Sequence, residues 1–178
     1  NNQNEQSNCF FLFSYISLPL FSQKFTVAVI PDSQYYAYYY YQNRLWSKFP
    51  KNNLENIFYR QMQYICNNSK VNGGEIVFAI HLGDIVDHGN VFMEEWLIAD
   101  KGMSIIDGFL PFGIVPGNHD YDREFNVANA DYNHINRGLF FNQFFGSKSK
   151  YFRDKKWYID SFDDGMNSCS YFEVQNKK

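Results

Sequence analysis

The sequence lacks three features that would have placed it in other protein classes. It has no run of about 20 apolar residues, the length that a membrane-spanning helix needs. Its three cysteines, Cys9, Cys66 and Cys169, are too widely spaced for a zinc-finger pattern. Its formal net charge is -3, and its most basic segment, residues 148–156, is interrupted by Asp154 and by aromatic residues. Nucleic acid is therefore not an expected partner.

Composition and the start of the chain predict a leader followed by one globular domain. The 178 residues are 45% hydrophobic and 20% charged, which suits a soluble chain with a single core. Residues 9–21 form an apolar run whose length is typical of the middle of a signal peptide. No Lys or Arg precedes this run, so a buried N-terminal strand or a membrane anchor remains an alternative. Residues 1–24 are predicted to be the leader, and residues 25–178 the domain.

A signal peptide would place the protein outside the cell or in an endomembrane or lysosomal lumen, with the cytoplasm as the alternative. In an oxidising compartment Cys66 and Cys169 could form a disulfide, because Cys9 would leave with the leader. The sequence does not fix the distance between the two side chains. Two free buried thiols are therefore an equal expectation.

From residue 25 onward the hydrophobic pattern alternates between strands and helices. Strands are predicted at 25–30, 75–82 and 110–115, and helices at 53–66 and within 90–106. The nearly continuous apolar pattern of residues 75–82 is typical of a parallel strand that is covered on both faces. The alternation predicts an α/β fold with a mostly parallel sheet and flanking crossover helices.

Several side chains of these helices are predicted to face the core. In the first helix they recur at helical spacing: Leu54, Ile57, Phe58, Met62, Ile65 and Cys66. In the second they are Phe92, Met93, Trp96 and Leu97. The aromatic end of the chain is predicted to add a helix around 136–145, with core aromatic residues, and a strand near 170–174.

Three polar motifs carry the chemistry, and each directly follows one of the apolar strands. We call residues 31–34 (Pro-Asp-Ser-Gln) the first motif, residues 83–87 (Gly-Asp-Ile-Val-Asp) the second and residues 117–120 (Gly-Asn-His-Asp) the third. The ends of parallel strands share one edge of a sheet, where ligands bind in open α/β folds. Helix caps or ordinary turn residues are the alternative interpretation of each motif taken alone. Three motifs in register predict one shared site.

The side chains of the motifs suit hard or borderline divalent cations. Carboxylate oxygens, amide oxygens and imidazole bind manganese, iron, zinc or magnesium, and no Cys joins the group. Two such ions can clamp the attacking and leaving oxygens of a phosphoryl transfer. Such a pair needs a bridging carboxylate. Asp84 is the natural candidate, because Gly83 beside it allows a close backbone approach.

The motifs Asp32-x-Gln34, Gly83-Asp84-x-x-Asp87 and Gly117-Asn118-His119-Asp120 resemble those of calcineurin-like metallophosphoesterases, in the branch that carries Asp-x-Gln. Residues 157–172 look like the corresponding segment of secreted members. The resemblance implies a sandwich fold of which this chain is the N-terminal part, incomplete toward the C-terminus. It also implies hydrolysis of phosphate esters at a two-metal centre, with a metal-bound hydroxide as the nucleophile. A phosphorylated small molecule or protein is then the expected substrate.

The resemblance also assigns roles to individual residues. Asp32 and Gln34 would belong to the first metal, Asp84 would bridge the two metals, and Asn118 would ligate the second. His119 would contact the phosphate and assist the leaving group, and Asp87 would orient His119 through its other ring nitrogen.

Two departures from the family pattern qualify this expectation. Gln34 stands where most members have His, which places the affinity and identity of the first metal in question. The histidines of the later family motifs are not found, since no His follows His134. A truncated, non-catalytic binding module is therefore an alternative. A metal-dependent nuclease, which would use the same pair of ions, is another. Among the other histidines, His81 is predicted to be a core residue and His134 a surface residue, while His88 could lie near substrate.

Overall fold

The computed structural model describes residues 25–37, 54–89, 91–121, 138–162 and 165–173. The predicted leader and His134 lie outside these residues. No helix of the described residues is both long and apolar enough to cross a membrane.

A parallel three-stranded sheet forms the centre of the fold. Its strands are β1 (Thr26–Ile30), β2 (Ile76–His81) and β3 (Phe112–Ile114), in the order β1-β2-β3. In the register, Ile30 pairs with His81, and His81 pairs with Ile114, so the three strands end at the same level. Side chains of the central strand β2 are almost all buried. The predicted α/β class and the shared strand edge are confirmed.

Two crossover helices cover the sheet, and they pack closely together. They are α1 (Leu54–Asn67) and α2 (Met93–Met103). A Cβ atom on Gly102 of α2 would lie 2.1 Å from the Phe58 ring of α1, so only glycine permits this approach. A short 3-10 turn, Lys70–Asn72, follows α1.

Two of the predicted core residues are wrong. Phe58, Met62, Ile65 and Cys66 are buried, as predicted, but Ile57 is 45% exposed. In α2 Trp96 is buried, whereas Leu97 is 54% exposed. Each of these exposed residues immediately adjoins a buried aromatic residue in sequence, about 100° around the helix, and therefore lies at the margin of the buried stripe.

The last part of the described chain packs against the sheet through aromatic side chains. Helix α3 (Leu139–Phe145) stacks Phe144 on Trp96 of α2, with ring centroids 5.9 Å apart. Phe112 of β3 contacts three aromatic rings: Tyr151, Phe152 and Trp157. An antiparallel hairpin of β4 (Tyr158–Ser161) and β5 (Ser168–Ser170) follows. Strand β4 was not predicted, and β5 begins two residues earlier than the predicted strand.

The two described cysteines are free thiols. Cys66 is buried and Cys169 is exposed. The disulfide between them is therefore absent from the structure, and the alternative of two buried thiols holds for Cys66 alone.

Candidate active site

The first motif is bonded directly to the second through the main chain. Where β1 and β2 end, the Leu82 N–H donates to the carbonyl of Ile30 at 3.0 Å. Beyond the strand ends, the main-chain N–H groups of Ser33 and Gln34 both donate to the carbonyl of Asp84, at 3.0 and 2.9 Å. The loops after β1 and β2 therefore form one hydrogen-bonded unit around Asp84.

A close approach of two glycines joins the second motif to the third. A Cβ atom on Gly83 would lie 2.5 Å from the Gly117 nitrogen, and a Cβ atom on Gly117 would lie 2.2 Å from Oδ1 of Asp84. Gly83 has a φ of 98° and Asp84 a φ of 47°, both in the left-handed region. Glycine adopts this region freely, and Asp is among the few other residues that tolerate it. This turn directs the Asp84 carboxylate to the third motif, where Oδ1 accepts the main-chain N–H of His119 at 2.9 Å.

Asp120 ties the same two motifs together from the buried side. Its Oδ1 accepts the N–H groups of Ile85 and Val86 at 2.8 and 3.0 Å, and its Oδ2 accepts the Gly117 N–H at 2.8 Å. Burial raises the pKa of Asp120 to about 7, with a smaller contribution from the charge of Asp84, while the three N–H donors act in the opposite direction. The sequence placed Asp120 in the third motif without giving it a role, and the structure shows that it holds the loops in register.

Asp87 and His119 form the pair that the family resemblance implies. Nδ1 of His119 lies 3.1 Å from Oδ1 of Asp87 and 3.1 Å from the carbonyl oxygen of the same residue. Both neighbours are acceptors, so Nδ1 carries a hydrogen, and Nε2 is the nitrogen available to a ligand. The side chain of His119 is 31% exposed. This geometry suits an oriented acid or base, and its catalytic role remains a prediction.

Glu95 of α2 supports this pair, although the sequence motifs did not single it out. Its Oε2 accepts the N–H groups of Asp87 and His88 at 3.1 and 3.0 Å, and its Oε1 lies 3.1 Å from Nδ1 of His88. Burial raises the pKa of Glu95, and the contacts with His88 and Asp87 oppose that rise. A helical pattern did mark its position, because Glu95 shares the buried face of α2 with Ala99 and Met103.

The buried ring of His81 forms hydrogen bonds with both the first and the second motif. Its Nδ1 accepts the Gly83 N–H at 3.1 Å, so its Nε2 must donate to Oγ of Ser33, 3.0 Å away. The Ser33 hydroxyl in turn donates to the carbonyl of Ile85 at 3.1 Å. Burial lowers the pKa of His81 to about 4 and keeps the ring neutral. The prediction of a core histidine is confirmed, and this one also positions the turn that carries Asp84.

The predicted metal ligands lie on loops at one sheet edge, with different exposures. Asp32 and Asn118 are exposed, whereas Gln34 is 6% exposed and its Oε1 is buried without a hydrogen-bond partner. Among the described residues, no group of three or more His, Cys, Asp or Glu has metal-holding geometry. Two of the four predicted ligands, Gln34 and Asn118, are amides and fall outside those residue types. The predicted ligand set is thus neither confirmed nor contradicted.

The buried Gln34 oxygen provides a test of whether this site fits a cation. A buried acceptor without a donor is costly unless a ligand satisfies it. Gln34 is bonded through its N–H to the Asp84 carbonyl, so this acceptor belongs to the loop that borders the Asp84 carboxylate. Amide and carboxylate oxygens are donors of the kind that a hard divalent cation accepts. The residues present therefore fit a metal ion.

Residues 25–177 match the model of the calcineurin-like phosphoesterase family, and the chain belongs to that family. Members of this family are described as phosphoesterases and typically depend on metal ions. A segment of 104 residues is 33% identical to the uncharacterized protein YvnB of Bacillus subtilis (strain 168). This segment is 58% of the present chain and 7% of that protein. The chain thus matches only a small part of that relative's length. No solved structure matches the chain.

Proposed function

We propose that this chain provides the loop-borne metal ligands and the Asp87–His119 pair of a phosphoester hydrolase that uses two divalent ions. The observation that carries the proposal is the hydrogen bond of 2.9 Å from the main-chain N–H of His119 to Oδ1 of Asp84. It brings the predicted bridging carboxylate and the predicted acid from loops 35 residues apart to one point.

In this proposal each predicted ligand keeps a distinct part. Asp32 and Gln34 would hold the first ion, Asp84 would be shared, and Asn118 would hold the second. Manganese, iron, zinc and magnesium all accept such oxygen donors. When bound, such ions would supply neutralisation of charge on the phosphoryl oxygens and a lower pKa for an attacking water. The buried Oε1 of Gln34 supports its place in this set, because the amide oxygen has no hydrogen bond of its own.

Asp87 and His119 act on the leaving group. As the oxygen of a hydroxide, formed when water has released a proton to solvent, bonds to phosphorus and the ester P–O bond breaks, the leaving oxygen takes a proton from Nε2 of protonated His119. The His119 ring is left neutral. The contact of Nδ1 with Oδ1 of Asp87, 3.1 Å, orients the ring and stabilises its positive charge. A positioned acid of this kind contributes about 10²–10⁴ to the rate, so the ions supply most of the remainder.

The substrate and location remain part of the proposal. A phosphorylated small molecule or protein suits the absence of a basic stripe from the sequence. The apolar run of residues 9–21 supports export or entry into an endomembrane lumen.

The experiment is Mn²⁺-stimulated hydrolysis of an aryl phosphate by the full chain, beside Asp84→Asn, with Mn²⁺ binding followed by calorimetry. Asp84→Asn is nearly isosteric but loses the bridging charge, so it should abolish stimulated hydrolysis and weaken binding at least about tenfold. Asp154→Asn, an exposed carboxylate far from the motifs in sequence, is the matched control and should behave as wild type.

Each result of this experiment distinguishes the proposal from an alternative. Mn²⁺ binding without hydrolysis would favour a binding module over an enzyme. Cleavage of DNA or RNA in preference to aryl phosphates would favour the nuclease. Hydrolysis that persists in Asp84→Asn would contradict the shared role of this carboxylate.

A further inference from the structure

We propose that Glu95 is a positioning residue of the reaction: it fixes the Asp87–His88 segment so that Asp87 holds His119 in the orientation that proton donation requires. The inference rests on the proposed function, because it concerns how His119 acts on the leaving oxygen. None of the three sequence motifs contains Glu95.

Both oxygens of Glu95 are used on the second motif. The side chain is completely buried, yet it carries a carboxylate. Oε2 accepts two successive N–H groups, of Asp87 and His88, and Oε1 lies 3.1 Å from Nδ1 of His88. A buried carboxylate is tolerated where N–H donors satisfy it, and its loss leaves those donors without partners. Glu95 therefore fixes the main chain at the point where the Asp87 side chain departs.

Glu95 also leaves Asp87 available to His119. Nδ1 of the His88 ring lies 3.1 Å from Oε1 of Glu95 but 3.5 Å from Oδ2 of Asp87. The ring nitrogen is therefore closer to Glu95 than to Asp87. The other oxygen of Asp87, Oδ1, lies 3.1 Å from Nδ1 of His119. Without the Glu95 carboxylate, His88 would turn to Asp87 as its acceptor and compete with His119. The four side chains thus form a series that runs from the buried helix to the edge of the site.

Helix α2 supplies a second support beside Glu95. Nε1 of Trp96 donates to the carbonyl of Gly89 at 2.8 Å, so two successive residues of α2 hold both ends of the segment 87–89. Trp96 is buried against the aromatic rings of α3, which makes this part of α2 a rigid base. The preceding residue, Glu94, is exposed and provides a matched control on the same helix turn.

The kinetic test compares two substrates with the same phosphate and different leaving groups. Phenolate is a poor leaving group that needs a proton, whereas p-nitrophenolate leaves with little assistance. If Glu95 acts through His119, Glu95→Ala should lower kcat for phenyl phosphate at least about tenfold more than kcat for p-nitrophenyl phosphate, with KM little changed. A merely structural defect would lower both rates equally. Glu95→Gln keeps an oxygen acceptor for the two main-chain N–H groups but removes the acceptor that faces ring Nδ1 of His88. It should give a smaller change in the same direction.

A second measurement uses the metal-free protein and does not depend on activity. The ring ¹⁵N shifts of His119 report which nitrogen carries the hydrogen. In wild type and in Glu94→Gln the neutral ring should be the Nδ1–H tautomer, and in Glu95→Gln and Glu95→Ala it should become a mixture. The isosteric Glu95→Gln decides the question if Glu95→Ala does not fold.

The outcomes separate this inference from the proposed function. An unchanged rate ratio and an unchanged His119 tautomer in Glu95→Gln would overturn the role of Glu95, whatever the activity of the wild type. A tautomer change in a protein that hydrolyses neither substrate would support the positioning role and contradict the proposed hydrolysis.

Discussion

The carboxylate of Asp120 accepts the N–H of Ile85 at 2.8 Å, although 35 residues separate the two along the chain. This contact, with those to Val86 and Gly117, makes one buried side chain bond to both the second and the third motif. The distance between Asp84 and His119 therefore depends on a residue that need not touch a ligand itself.

Asp120→Asn is expected to lower both the stability and the metal affinity of the protein. Asn retains one oxygen acceptor, but its amide N–H₂ faces N–H donors that the carboxylate now satisfies. The free energy of unfolding should fall by about 1–3 kcal/mol, since a buried N–H group left without an acceptor costs about that much. Urea unfolding and Mn²⁺ calorimetry measure the two effects, and Asp154→Asn is the exposed control. Wild-type stability in Asp120→Asn would show that the three N–H groups find other partners.

His81 predicts a loss of stability toward acid pH. Its pKa in the folded protein is about 4, below the ordinary value of 6.5, so between these values the unfolded chain binds more protons. The contribution of His81 to the free energy of unfolding is then fully present above about pH 6.5. It decreases as the pH falls, by about 2 kcal/mol between about pH 7.5 and about pH 5. Urea unfolding of His81→Asn, which keeps an acceptor for the Gly83 N–H, should show a correspondingly smaller decrease.

Asp120 also changes stability with pH, so the wild type must be compared with His81→Asn to isolate the effect of His81. The raised pKa of Asp120 acts with the opposite sign, favouring the folded state as the pH falls from about 7. This contribution is common to wild type and His81→Asn, so the difference between the two proteins isolates His81. Equal pH dependence in both proteins would contradict the neutral, buried state of this ring.

Gly117→Ala is expected to disrupt the site, whereas Gly113→Ala should be tolerated. A Cβ atom at residue 117 would lie 2.2 Å from Oδ1 of Asp84, but one at residue 113 would lie 3.6 Å from the nearest Phe78 ring atom, an ordinary contact. Displacement of the Asp84 loop should weaken Mn²⁺ binding at least about tenfold, while Gly113→Ala leaves it unchanged. Calorimetry and thermal unfolding of both variants provide the test. Equal affinities would mean that the loops move apart without affecting the ligands.

The two described cysteines should differ in their reaction with a thiol reagent. Cys169 is exposed and should react in the folded protein, whereas the buried Cys66 should react only after unfolding. The experiment is best done with Cys9→Ser, so that one fast and one slow thiol are counted. Resistance of both thiols to the reagent until a reductant is added would indicate a disulfide instead.

The sequence was sufficient for the parts of the fold in which one physical pattern dominates. The apolar residues 75–82 predicted β2, and the strand-end placement of Asp84 and His119 predicted their meeting, because parallel strands share an edge. The helical period correctly placed Phe58 and Met62 in the core. It failed for Ile57 and Leu97, which lie at the margin of a buried stripe, where burial depends on the neighbouring elements that pack there.

The supporting contacts could not be predicted because they depend on tertiary structure. Glu94 and Glu95 are chemically identical neighbours in the first turn of α2, yet one is exposed and the other completely buried. The difference arises because Glu95 lies on the face of Ala99 and meets two N–H groups of a loop that precedes the helix. Strand β4 was missed for a related reason, since its pairing with β5 rather than its own pattern defines it.

The left-handed turn at Asp84 has a consequence for the evolution of this position. With φ at 47°, the backbone itself favours Gly, Asn and Asp over every β-branched or bulky residue. A saturation library selected for stability alone is therefore expected to enrich Asp84→Gly and Asp84→Asn, while selection for hydrolysis should return Asp. Stability and activity would then favour different residues at the same codon, a trade-off that is common at functional sites.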